Sequence, residues 1–213
     1  DNGRTSTNPQ SAIRDPQLID PENRLLHRMN IRRLEAEAVR DSVLAVSGKL
    51  NRAMHGPSVL PFVTPYMEGR GRPNSGPLDS EGRRSVYINA RRNFLTPLLL
   101  SFDYPVTFTS IGRRGTSTIP AQALTLMNDP FIVEQAGQWA QRALQVGGSS
   151  TEQRIQWLYE TAFARPPSAD EVREAIDFLQ EQSLRHGVGS ESPQVWTDLC
   201  HVLINVKEFI FIP

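Results

Sequence analysis

Between Leu50 and Ser85 the chain carries no helical periodicity, although amphipathic helical patterns stand on both sides. His55-Gly56-Pro57-Ser58-Val59 opens an excursion that runs on through Pro61, Pro65, Gly69, Gly71, Pro73, Gly76 and Pro77, so that residues 51–84 read as one loop. A loop of this length inside a compact domain is either functional or pinned by its own side chains. Phe62 and Tyr66 are the residues expected to pin it. The 16 prolines and 14 glycines are unevenly spread, with 14 of the 30 falling in 2–21 and 56–82, which marks those stretches as irregular. With 213 residues, one large domain is the simplest division. The expected fold class is mainly α: a single multi-helix domain over 18–213 with a long Gly/Pro-rich loop and a minor short β element. Residues 1–17, almost without apolar side chains, read as a polar linker or arm.

Local signals place the helices. Asp20 reads as a cap and Pro21 as the first position of a short helix through Leu25, Leu26 and Met29. Residues 31–47 read as the clearest helix of the first half, with Leu34, Ala38 and Val39 on one face and Gly48 ending it. Residues 85–89 have the β-branched and aromatic content of a short strand. A helix over 93–102 follows, with Pro97 in its first turn, and then one over 119–127 with Pro120 at its start. Asp129-Pro130 opens a helix over 131–146 whose apolar stripe includes Ile132, Ala136, Trp139 and Ala143. Ser149-Ser150-Thr151-Glu152 and Ser168-Ala169-Asp170-Glu171 read as capping boxes. Ser192-Pro193 starts a last apolar helix carrying Trp196, Leu199, Cys200, Leu203, Val206 and Phe209.

Net charge is zero but unevenly laid out. Residues 70–114 hold eight basic and three acidic side chains, whereas 115–213 hold six and twelve. Such a layout means either a basic surface that meets an anion or two parts of one domain attracting each other. Of 23 basic residues only Lys49 and Lys207 are lysine, so the positive groups are planar, multi-donor forks. The pairs Arg83 and Arg84, Arg91 and Arg92, and Arg113 and Arg114 are therefore the best ligand candidates, with Thr116, Ser117 and Thr118 adding hydroxyls beside a helix start. Sulfate, phosphate or an acidic sugar would suit them. The competing reading has the same arginines bonding the unpaired carbonyls of the long loop. Asp103, Tyr104, Gln122 and Asn128 then serve as caps and supports.

Other chemistries find little purchase. Cys200 is the sole cysteine, which excludes an internal disulfide and any Cys-rich metal site, and its place in an apolar stripe makes it a buried, inert thiol. His27, His55, His186 and His201 lack metal-ligand spacing, so no metal is expected. Ser58 lacks the G-x-S-x-G elbow. Trp139, Trp157 and Trp196 stand at helical spacing among apolar neighbours, as core residues do. No basic run with interleaved aromatics points to nucleic acid. No apolar run is long enough to span a membrane.

Five stretches nonetheless resemble a known family in order and content: NIRRLEAEAVRDSVLAVSGKL (30–50), HGPSV (55–59), RRSVYINARRNFLTPLLLSFDYP (83–105), RRGTSTIPAQALTLMNDPF (113–131) and DLCHVLINVKEFIFI (198–212). Together they look like the DUF1553 family, a C-terminal domain of large planctomycete and verrucomicrobial proteins, and the likeness runs from about Asp20 to the end. The resemblance implies an exported protein, periplasmic or secreted, in which this domain follows a DUF1549-like domain and, in many members, a cytochrome c-like module. Any c-type haem belongs to that upstream part, because covalent attachment needs Cys-x-x-Cys-His and only Cys200-His201 occurs here. Many members also carry a cysteine just before the Arg113-Arg114 pair, where this chain has Ser110. The functional expectation is an accessory or interaction domain docking on its upstream neighbour, the alternative being anionic-polysaccharide binding or processing through an Arg-lined loop surface. No catalytic motif accompanies either.

Overall fold

A computed structural model of the chain describes residues 20, 22–26, 29–91, 93–106 and 111–212. The helices run in order α1 (Ala36–Ser47), α2 (Pro97–Ser101), α3 (Pro120–Asn128), α4 (Pro130–Val146), α5 (Thr151–Phe163), α6 (Ala169–His186), α7 (Pro193–Asn205) and α8 (Lys207–Ile210). β1 (Arg32–Arg33) precedes them and β2 (Phe211–Ile212) follows. The described residues are thus mainly helical with a minor β element.

Small side chains decide which helices meet most closely. α4 buries Ala136, Ala140 and Ala143 along with Ile132 and Trp139, and α7 answers with Val195, Trp196, Leu199, Cys200, Leu203 and Ile204. This pair forms the most extensive helix–helix contact. Trp139 and Trp196 are fully buried, and truncating either to alanine would remove about 3–5 kcal/mol. Val39, Val43 and Leu44 of α1 join the same core, as do Ile155 and Leu158 of α5 and Ala175 and Leu179 of α6. No helix among the described residues is long and apolar enough to cross a membrane.

Helix ends follow their local chemistry, with some shifts from expectation. The Asp129 carboxylate accepts the Phe131 N–H at 2.9 Å, and Pro130 takes the first position of α4. Ser168 and Glu171 form the expected capping box. The other box slides by one residue to Ser150 and Gln153, with the Gln153 Oε1 also accepting from the Ser149 N–H. The helix expected over 31–47 begins only at Ala36, because Arg32 and Arg33 pair antiparallel with Ile212 and Phe211. That ladder is possible because the last helix breaks at extended Val206, restarts as α8 and ends in β2. Of the strand expected over 85–89 only an isolated bridge from Ile88 to Val59 of the loop forms: Ser85–Tyr87 is a 3-10 turn, held by the Asp41 carboxylate accepting both the N–H and the hydroxyl of Ser85 at 2.7 Å. Near Asp20 the described residues form turns instead of a helix, with the carboxylate accepting the Arg24 and Leu25 N–H groups. Pro21, His27 and the expected polar arm over 1–17 lie outside the described residues.

The excursion over 51–84 is pinned, though not by Tyr66, which is 92% exposed. Val63 goes into the interior instead, with Phe62 half-buried beside it. Most of the pinning is backbone to backbone or side chain to backbone. Asn51 and Val59 donate to the Gly82 and Tyr87 carbonyls, Gly76 donates to Pro61, and Val63 donates to the Ser75 hydroxyl. Gly82 sits at φ +65°, and a Cβ there would meet the Lys49 carbonyl oxygen at 2.1 Å. Only glycine satisfies both the left-handed backbone and that approach.

Candidate functional site

The arginines of the three sequence pairs do not gather in one place. Arg83 goes into a seam beneath the loop, where Nη1 donates to the Ala53 carbonyl at 2.8 Å and Nη2 to the His55 carbonyl at 2.6 Å, with the guanidinium 4.0 Å from the Tyr87 ring centre. Arg40 of α1 completes that seam, donating to the carbonyls of Arg83 and Asp79 and to the Ser85 hydroxyl. Burial lowers the Arg40 pKa to about 10, against the opposing pull of Asp41 and Asp79. It stays a cation at neutral pH, its charge met by three oxygens. Arg84 lies outside the seam, its Nε 3.8 Å from the Asp41 carboxylate. Arg91 is exposed and makes no side-chain bond among the described residues. Arg92 and Ser110 are outside the described residues.

Arg113, Arg114, Thr116 and Thr118 do converge, on a groove of about 710 Å³ beside the β1–β2 ladder. Its other lining residues are Ile31, Arg32, Arg33, Leu34, Glu35, Ala38, Phe211 and Ile212. Strand alternation places Arg32 outward and Arg33 inward. Arg33 Nη2 donates to the Asp103 carboxylate at 2.7 Å, and its guanidinium lies 5.3 Å from the Phe102 ring centre. Asp103 holds the opposite wall as well, accepting the Ser117 N–H and hydroxyl at 2.8 Å. Burial works to raise its pKa, but the bonds from Ser117 and Arg33 outweigh it and hold the carboxyl below its ordinary value. Gln122 braces the same turn, its Nε2 donating to the Ser101 and Ser117 carbonyls. Asn128 only donates back to the Leu124 carbonyl of its own helix.

Within the groove the four guanidiniums are not equivalent. Arg114 is held by Glu37 at two 2.8 Å bonds and by Glu35 at 2.9 Å, and lies 5.9 Å from the Tyr104 ring centre. The Glu37 bonds, ahead of the opposing effect of desolvation, raise its pKa further above the ordinary arginine value. Arg32 and Arg113 have no side-chain partner among the described residues, and neither do the Thr116 and Thr118 hydroxyls. Arg33, with its side chain 2% exposed, leaves Nε and Nη1 without a hydrogen-bond partner among the described residues. The first turn of α3, with Pro120 at its first position, does not line the groove.

Sequence reasoning missed Arg32, Arg33 and Arg40. Arg32-Arg33 is a doubled arginine like the other three, and reading it as extended would have put one side chain in and one out. Arg40 gave no local signal, because its acceptors come from residues 39 to 45 positions away.

A second surface feature lies on α3. Pro120–Asn128 contains no charged residue and buries only Gln122 and Leu126. Leu124 is 59% and Met127 56% exposed, and Ile119 and Val133 flank them in sequence with exposed side chains. The α3 surface is therefore apolar where a helix facing water ordinarily carries charge. Cys200 is buried in α7, and burial pushes its thiol pKa well up. Among the described residues no three His, Cys, Asp or Glu side chains group to hold a metal ion.

One family model, described as PSD1, protein of unknown function (DUF1553), matches residues 4–179. The match starts ahead of Asp20 and ends within α6, leaving the 198–212 stretch outside it. No curated protein and no solved structure matches the chain.

Proposed function

Because the chain belongs to the DUF1553 family, which is defined without an activity, we propose that it is an accessory domain that docks on the domain preceding it in a larger exported protein. The observation that carries this reading is the uncharged, exposed face of α3, with Leu124 and Met127 each more than half accessible. Exposed apolar patches of this kind mark interaction surfaces. The occupant is the upstream DUF1549-like domain, and the cytochrome c-like module with its haem lies further upstream. The same reading places the protein in the periplasm or outside the cell.

Amide hydrogen exchange tests the docking. Residues 120–128 should exchange more slowly in the full-length protein than in this chain alone, and Leu124→Glu with Met127→Glu should abolish the difference. Equal exchange of α3 in the two forms would reject the proposal.

A further inference from the structure

The groove beside β1 has donors that the rest of the molecule leaves open. Arg32 and Arg113 line it without side-chain partners among the described residues, and the Thr116 and Thr118 hydroxyls are likewise unengaged. The acidic lining residue, Glu35, is already bonded to Arg114 at 2.9 Å, together with Glu37. A second, independent observation lies in the wall itself. Arg33 is buried there with Nε and Nη1 lacking a hydrogen-bond partner among the described residues, and its one carboxylate partner, Asp103, is shared with Ser117. Its Nη2 is met by Asp103 and the Phe102 carbonyl, while the other two nitrogens remain open donors beside the groove that Arg33 lines.

Charge and size narrow the ligand. Residues 70–114 carry eight basic and three acidic side chains, and no ion pair among the described residues joins them to the acidic 115–213 part; Arg84 and Arg114 pair with acids of 35–41 instead. The excess is therefore not neutralised by the far half of the molecule. A volume of about 710 Å³ is far more than an inorganic oxyanion fills, and falls in the range of sites for organic ligands. Leu34, Phe211 and Ile212 supply an apolar side for a carbon skeleton.

We propose that this groove binds a small organic ligand through a carboxylate or sulfate group, with Arg32 and Arg113 as the cationic contacts and Thr116 and Thr118 as neutral donors. Arg33 is a positioning residue: through Asp103 it holds the Ser117 turn against β1. The binding is separate from docking at α3, so either can fail alone.

Calorimetric titration of the chain with four probes tests it: a galacturonate tetrasaccharide for carboxylate, a sulfated chondroitin tetrasaccharide for sulfate, maltotetraose as the neutral control, and inorganic sulfate. Saturable binding of one or both charged tetrasaccharides and none of maltotetraose is expected, weakening as salt is raised. Arg32→Gln and Arg113→Gln, both at exposed positions, should each weaken it by about ten-fold or more, as loss of a charge-assisted hydrogen bond does. Unchanged affinity in both variants, or binding of neither charged tetrasaccharide, overturns the proposal. Binding of inorganic sulfate without either tetrasaccharide also overturns it. Exchange at α3 should be unaltered by these two substitutions whichever way the titration falls.

Discussion

The seam under residues 51–84 and the groove beside β1 are both built with arginine, yet they put it to opposite uses. In the seam Arg40 and Arg83 have their forks occupied by carbonyls of Ala53, His55, Asp79 and Arg83. In the groove Arg32 and Arg113 face no such acceptors among the described residues. The difference lies in the backbone nearby, not in the side chain. Irregular chain without a ladder partner exposes carbonyls that need donors, and a planar guanidinium meets two at once. Beside β1 the carboxylates of Asp103, Glu35 and Glu37 hold Arg33 and Arg114, and the Arg32 and Arg113 guanidiniums are left for something else.

Arg40→Ala should break the seam most severely. It strips the donor from two carbonyls and one hydroxyl, and the expected loss is about 3 kcal/mol or more in urea denaturation. Tryptic cleavage within 51–84 should accelerate in parallel, and a stability close to the parent's would mean that the seam does not hold the loop. Gly82→Ala strikes the same region through the backbone. Its left-handed φ and the 2.1 Å approach to the Lys49 carbonyl predict a loss of about 2 kcal/mol, read from the same urea midpoint.

Acid separates the two regions more gently. The Asp103 pKa lies below its ordinary 3.8, so the clasp between Arg33 and Ser117 is complete above that value. Its contribution is lost as pH falls through the lower folded-state pKa, because the unfolded chain then binds the proton more readily. The carbonyls that hold Arg40 and Arg83 do not titrate, and the nearby Asp41 carboxylate stands 3.7 Å from Arg40 and bonds Ser85, outside 51–84. Amides of 111–118 should therefore gain exchange below about pH 3.8, corrected for intrinsic rates, before those of 51–84 do; simultaneous loosening would show that the regions are one unit. The smallest effect belongs to Arg32→Gln and Arg113→Gln, expected to change stability by no more than about 0.5 kcal/mol. A larger loss would mean that these side chains are structural after all.

Much of the fold was legible because its signals are short-range. Pro120, Pro130 and Pro193 each open a helix, Asp129 and Ser168 cap where expected, and Gly48 ends α1 in the left-handed conformation, whereas the helix expected over 93–102 starts only at Pro97. Two of the errors share one cause. Ser85–Tyr87 has strand-like composition but is turned by Asp41 from α1, and Arg32-Arg33 has helix-like surroundings but is recruited by Phe211-Ile212 from the far end of the chain. Of the groove, the Arg113, Arg114, Thr116 and Thr118 wall was legible as a run of donors. Its Arg32 and Arg33 wall was hidden by the mistaken helical reading, which removes the in–out alternation that sorts the two side chains.

The order of residues alone determined a mainly helical body, the irregular stretch over 51–84 and membership in the DUF1553 family, since each rests on periodicity, punctuation or motif within a local window. Which arginines are locked and which stay open was decided only by tertiary structure. A guanidinium's role depends on the carbonyls and carboxylates that fold up against it, and for Arg33, Arg40 and Arg114 those partners lie 39 to 79 positions away along the chain.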